Sequence, residues 1–154
     1  MDNDRRERMS AQREVVIAEV SRIFPHSAER VFDAWLDPER ARRWFFATPE
    51  GEMVRAEIDP HVGGRFIFTD RRDGEDVEHT GEYLEIDRPR RLRFSFSVTG
   101  VDGPPDLVSI TITPRPGGCE LTLSHEMAAE YSAYLDGARK AWSGMLEDLA
   151  ANLG

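Results

Sequence analysis

The chain has 154 residues, with 20 Lys and Arg against 29 Asp and Glu, and so a net charge of −9. That length suits one domain, large enough to stay folded without a metal or disulfides. A hydrophobic content of 40% excludes a chain disordered throughout. No stretch reaches the ~20 apolar residues of a membrane span, and the acidic balance opposes a general grip on nucleic acid.

Cys119 is the single cysteine, so no intramolecular disulfide is available. Residues 1–13 are mostly charged or small and show no apolar period, which predicts a charged N-terminal arm ahead of a domain over residues 14–154. The arm lacks the apolar core of a secretion signal, and a cytoplasmic location is expected.

From Val15 the composition turns β-branched and runs to Pro25, which predicts a long first strand. Ser27 is placed to cap a short helix carrying Val31, Phe32, Trp35 and Leu36, and Asp37-Pro38-Glu39 opens a second short helix reaching Trp44. Six further strands are expected over 53–58, 65–69, 78–86, 91–98, 107–113 and 119–125. Alternation in Leu92, Phe94, Phe96 and Val98, in Val108, Ile110 and Ile112, and in Cys119, Leu121 and Leu123 predicts an antiparallel sheet with one apolar face. The cover for that face is an amphipathic C-terminal helix, read from Tyr131, Tyr134, Leu135, Ala138, Trp142, Met145, Leu146, Leu149 and Leu153.

These elements make an α+β domain. Four stretches carry a more specific likeness: Ser27-Ala28-Glu29-Arg30-Val31-Phe32-Asp33-Ala34-Trp35 on to Trp44; Asp59-Pro60-His61-Val62-Gly63-Gly64-Arg65-Phe66; Gly81-Glu82-Tyr83-Leu84-Glu85-Ile86; and Leu121-Thr122-Leu123-Ser124-His125-Glu126 followed by Trp142. In order and spacing they resemble the START-like, helix-grip (SRPBCC) superfamily. Within it they resemble the group related to the C-terminal domain of the ATPase activator of the 90-kilodalton heat-shock chaperone. The resemblance implies a curved antiparallel sheet of about six or seven strands wrapped around a long C-terminal helix, with two short helices after the first strand and a cavity between sheet and helix. One departure falls at the cavity mouth. Many relatives carry two adjacent tryptophans followed by Gly-Pro, where this chain has Trp44-Phe45-Phe46-Ala47.

Phe66, Phe68, Tyr83, Phe94, Phe96 and Trp142 lie on segments whose inner faces enclose that space, and with Trp44 and Met145 they form the candidate ligand-binding set. The competing reading is a dry core. His125 shares the inward parity of Leu121 and Leu123, as a ligand donor, a proton shuttle, or a histidine satisfied by a neighbouring carbonyl or Glu126. His26, His61 and His79 lack the spacing of a metal pair, so no metal and no cofactor is expected. Gly63-Gly64 reads as a turn, and Gly137, Ala141 and Gly144 as a small-residue seam open to a strand, a ligand or a second subunit.

The expectation is therefore a non-catalytic protein that binds a small hydrophobic or amphipathic molecule, with a homodimer and a chaperone partner left open. The alternatives are a chaperone-activator-like interaction module, and a cyclase or hydrolase using His125 with Tyr83 or a nearby acid. Deleting residues 2–12 is predicted to move the melting temperature by less than about 2 °C, under about 1 kcal/mol for a chain of this size. A larger drop in a thermal melt would show that the arm docks.

Overall fold

A computed structural model describes residues 14–48, 50–100 and 103–153; the expected N-terminal arm lies outside the described residues. Strand β1 (Val15–Phe24) leads into helices α1 (Ala28–Leu36) and α2 (Pro38–Ala41). Strands β2 (Glu52–Ile58), β3 (Arg65–Arg72), β4 (Glu75–Asp87), β5 (Arg91–Val98), β6 (Asp106–Arg115) and β7 (Gly118–Ala128) follow. A 3-10 turn (Ala129–Tyr134) then leads into helix α3 (Leu135–Leu153). The seven strands form one antiparallel sheet in the order β1-β7-β6-β5-β4-β3-β2. Strands β2 to β7 are thus a meander, and β1 joins beside the last of them.

The local chemistry explains the short helices. Ser27 Oγ accepts the Arg30 N–H at 3.1 Å, and the Asp37 carboxylate accepts the Glu39 N–H at 3.0 Å with Pro38 just inside the second helix. Arg88 clamps Asp33 of α1 through two bonds of 2.8 and 3.0 Å, and Arg30 donates to the Leu153 carbonyl at the end of α3. Register irregularities between Met53 and Arg55 and between Tyr83 and Glu85 bend the sheet. At Gly81 a Cβ would lie 2.0 Å from the Ser95 carbonyl oxygen and 2.4 Å from the Phe66 ring, so only glycine lets Phe66 cross β4.

The inner face of the sheet packs on α1 and α3 as the alternation requires. Leu92, Phe94, Val108, Ile110, Ile112, Leu121 and Leu123 are buried against Val31, Phe32 and Trp35 of α1 and Trp142, Leu146, Leu149 and Leu153 of α3. Strands run past the apolar alternation that predicted them. Strand β7 continues to Ala128 beyond 125, and β3 and β4 extend to Arg72 and Glu75 because Asp73-Gly74, both at positive φ, close a tight hairpin.

The long helix begins later than its spacing predicts. Tyr131 has φ −100° and ψ 17°, a kink inside the 3-10 turn, and Tyr134 is 66% exposed. The chain must reverse sharply out of β7 before it can lie back over the sheet, and that turn removes both tyrosines from the apolar stripe. The proposed seam is also open. A Cβ at Gly137 or Gly144 would meet nothing within 4 Å, so no strand approaches there. Gly63, at φ 91°, sits in a turn whose N–H bonds the Tyr83 carbonyl. Among the described residues no helix is long and apolar enough to cross a membrane.

Trp142 is 2% exposed in the middle of the α3 stripe. Trp142→Ala is expected to lower unfolding free energy by about 3–5 kcal/mol in a denaturant titration; a loss below about 1 kcal/mol would contradict the packing described.

Candidate functional site

Toward its N-terminal end α3 leaves the sheet uncovered, and a cleft of about 350 Å³ opens there. Its sheet wall is Arg72 of β3, His79 of β4, Phe96 of β5 and His125 of β7. Its helix wall is Ala138, Ala141, Trp142 and Met145, spaced at three and four residues so that all lie on one face. The loop after α2 supplies Phe46, Ala47 and Thr48 at the mouth.

Two histidines face this space in different chemical states. The Trp142 indole N–H donates to His125 Nδ1 at 2.9 Å, which leaves the ring proton on Nε2, donated to Asp106 Oδ2 at 2.8 Å. Both nitrogens of His125 are therefore occupied, and its partners are Trp142 and Asp106 rather than a carbonyl or Glu126. In His79, Nδ1 donates to the Phe68 carbonyl at 3.2 Å, so Nε2 keeps its lone pair, with no hydrogen-bond partner among the described residues. Burial pulls the His79 pKa down from 6.5 to about 4. The Arg72 charge adds to that fall, and the Phe68 bond and Asp70 oppose it. His79 thus presents a neutral acceptor to the cleft near neutral pH.

The mouth is tied to the sheet by a buried acid. Asp70, 1% exposed, accepts from Thr48 Oγ1 at 2.7 Å and from Arg72 Nε at 2.9 Å. Arg72 also donates to the Phe46 carbonyl at 3.2 Å, and the Phe46 N–H donates to Met145 Sδ at 3.3 Å. The Phe46 ring lies parallel to His79 and to Phe96, with centroids 4.2 and 4.9 Å away. Its φ is 59°, a conformation that costs a residue with a Cβ about 1–2 kcal/mol.

Of the expected ligand-binding residues, the fold brings Phe96, His125, Trp142 and Met145 to the cleft. Trp44, Phe66, Phe68, Tyr83 and Phe94 are buried in the core and do not line it. Phe45, which periodicity did not single out, explains this, because its ring packs within 5.1–6.1 Å of Phe66, Phe68 and Phe94 and within 5.2 Å of Trp44, filling the interior. Tyr83 packs against Phe66 and Phe94, where burial pushes its hydroxyl pKa up, and it forms no pair with His125. Cys119 is fully buried and its thiol pKa is raised chiefly by burial. Among the described residues no three His, Cys, Asp or Glu side chains converge as a metal site would require.

His79, Arg72, Phe46 and the small residue Ala138 belong to the site and lie outside the candidate set expected from the sequence. His79 shares the inward parity of Gly81 and Tyr83 on one strand, a signal that was available. The mouth loop has no periodicity from which Phe46 could be placed.

The sequence profile of the family described as activator of Hsp90 ATPase homolog 1-like protein matches residues 25–154. The chain belongs to that family. The fold is shared with a protein of unknown function from Staphylococcus aureus (16% identity, 91% of this chain and 94% of that one, TM-score 0.79). It is shared equally with an AHSA1-like protein from Aeromonas hydrophila (21%, 90% and 92%, 0.77) and with protein CV1439 from Chromobacterium violaceum (23%, 89% and 96%, 0.75). No curated protein matches.

The buried His79 makes the stability of the domain depend on pH. Unfolded, the imidazole takes a proton near 6.5; folded, only near 4. The unfolded state binds more protons between those values, so the stability His79 contributes is complete above about pH 6.5 and is lost as pH falls toward 4. Wild type is expected to lose about 3 kcal/mol more than His79→Asn between pH 7 and pH 4. Urea titrations of both proteins at the two pH values check this, and equal losses would refute it.

Proposed function

We propose that the protein binds a small amphipathic molecule in the cleft between α3 and the inner face of the sheet, without chemical turnover. The observation that carries this reading is the composition of the cleft: aromatic and alanine walls around the unpartnered His79 Nε2, with the Arg72 guanidinium at the mouth. Small-molecule sites are built this way, from apolar area for affinity and a few fixed polar groups for orientation. The ligand that fits has an apolar body and a hydroxyl or N–H that donates to His79. The affinity comes from apolar burial, at about 25 cal/mol per Å², less the cost of ordering the ligand.

A binding role suits the side chains better than catalysis does. Both ring nitrogens of His125 are engaged by Trp142 and Asp106, His79 is a weak base, and Cys119 is out of reach in the core. The family match supports a second reading, an interaction module that stimulates a chaperone ATPase. That reading predicts a raised ATPase rate when the protein is added to a 90-kilodalton chaperone, and an unchanged rate would remove it.

For the binding reading, native mass spectrometry of freshly purified protein is expected to show a small-molecule adduct that is absent from Ala141→Trp, in which a second indole fills the cleft. An adduct equally abundant in the variant would place the molecule elsewhere. No adduct, together with no quenching of the intrinsic tryptophan fluorescence across a panel of amphipathic compounds, would overturn the proposal.

A further inference from the structure

Phe46 is held in a backbone conformation unsuited to its side chain. At φ 59° its Cβ crowds the following carbonyl. The other non-glycine residue at positive φ among those described is Asp73, which sits beside Gly74 in a tight hairpin where such residues are at home. Phe46 is in no hairpin. Its N–H is given to a thioether, a weak acceptor, and its carbonyl to the partly exposed Arg72.

The ring is what holds it there. It lies within 6° of parallel to both His79 and Phe96 and meets the edge of Trp142 at 5.7 Å. The ring is buried with the core, yet it also lines the cleft. Strain of this kind persists only where surrounding contacts over-determine it. Here they are the Phe45 ring, 4.1 Å away on the core side, and the His79 and Phe96 faces, for which a ligand would compete.

We propose that Phe46 is a displaceable plug. Its ring covers the wall made by His79 and Phe96 while the cleft is empty, and an incoming flat, unsaturated ring turns it out and takes over that wall. This rests on the binding reading above and names the class of ligand and the residue that selects it. Displacement lets the Phe46 backbone relax out of the left-handed region, which offsets the stacking it loses. A saturated, non-planar ligand cannot replace the stack and leaves the plug seated.

The test uses 8-anilinonaphthalene-1-sulfonate, a probe with a flat naphthalene ring and an anionic group, on the full chain. Wild type is expected to bind it weakly. Phe46→Gly, which removes ring and strain together, is expected to bind it at least about tenfold more tightly, and adding Ala141→Trp to either protein abolishes binding. A second measurement leaves the plug in place: with 4-fluorophenylalanine at position 46, the ¹⁹F signal is expected to move to a solvent-exposed shift as probe is added, and to stay buried with cyclohexanecarboxylate. This measurement decides alone if Phe46→Gly does not fold. Equal affinity in wild type and Phe46→Gly, or a fluorine signal that stays buried at saturating probe, overturns the plug and leaves the binding reading standing. Absence of any probe binding sensitive to Ala141→Trp, in wild type and Phe46→Gly alike, overturns both.

Discussion

The hydrogen bond from the Trp142 indole to His125 is the constraint on which the cleft depends. A tryptophan in the middle of a gripped helix contributes a large apolar surface but brings an N–H that water can no longer reach. Leaving such a donor unpaired costs about 1–3 kcal/mol. His125 accepts it, and Asp106, at the first residue of β6, fixes the imidazole in the tautomer that can accept. One side-chain chain thus joins β6, β7 and α3 and sets how the helix lies over the sheet. The other two indoles, Trp35 and Trp44, stand edge-on to each other at 4.6 Å, and their Nε1 atoms are buried without a partner among the described residues. The core therefore satisfies the indole that borders the cleft and leaves unsatisfied the two that do not.

A second set of polar ties works at the mouth. Asp70 is buried and gathers Thr48 and Arg72, while Arg72 reaches on to the Phe46 carbonyl. The loop between α2 and β2 carries little regular structure of its own, so these side-chain bonds take the place of a ladder in positioning it. Ring packing of Phe45 and Phe46 anchors the same loop from inside. The mouth is consequently built from polar bonds on one side and stacked rings on the other.

How much of this was legible follows from what each signal encodes. Alternation in β5, β6 and β7 reports which face is buried, and Ser27 and Asp37 report helix starts, because these are local facts. The late start of α3 was not legible, since Tyr131 and Tyr134 sit at helical spacing and only the turn out of β7 removes them. The site was half legible: Phe96, His125, Trp142 and Met145 follow from parity and stripe, whereas Phe66, Phe68, Tyr83 and Phe94 share that parity and, with Trp44, end in the core. Inward direction does not distinguish a residue facing a cleft from one facing another side chain. That distinction was made by Phe45, whose position in an aperiodic loop no pattern predicts.

The pairing of β1 has a consequence for how the chain is made. Val15 lies opposite Ala128 and Phe24 opposite Cys119, so the first strand finds its partner only in the last one. On a ribosome β1 emerges long before β7, and until then its backbone donors and acceptors have no partner in the sheet. Its outer face carries Val15, Ile17 and Ile23, all about half exposed or more even in the finished fold. Strands β2 to β7 pair with neighbours just made, so the meander can assemble as it is synthesised. The helix-grip topology therefore leaves the first strand of the domain waiting for the last, and during synthesis β1 is the strand most open to pairing with a foreign one.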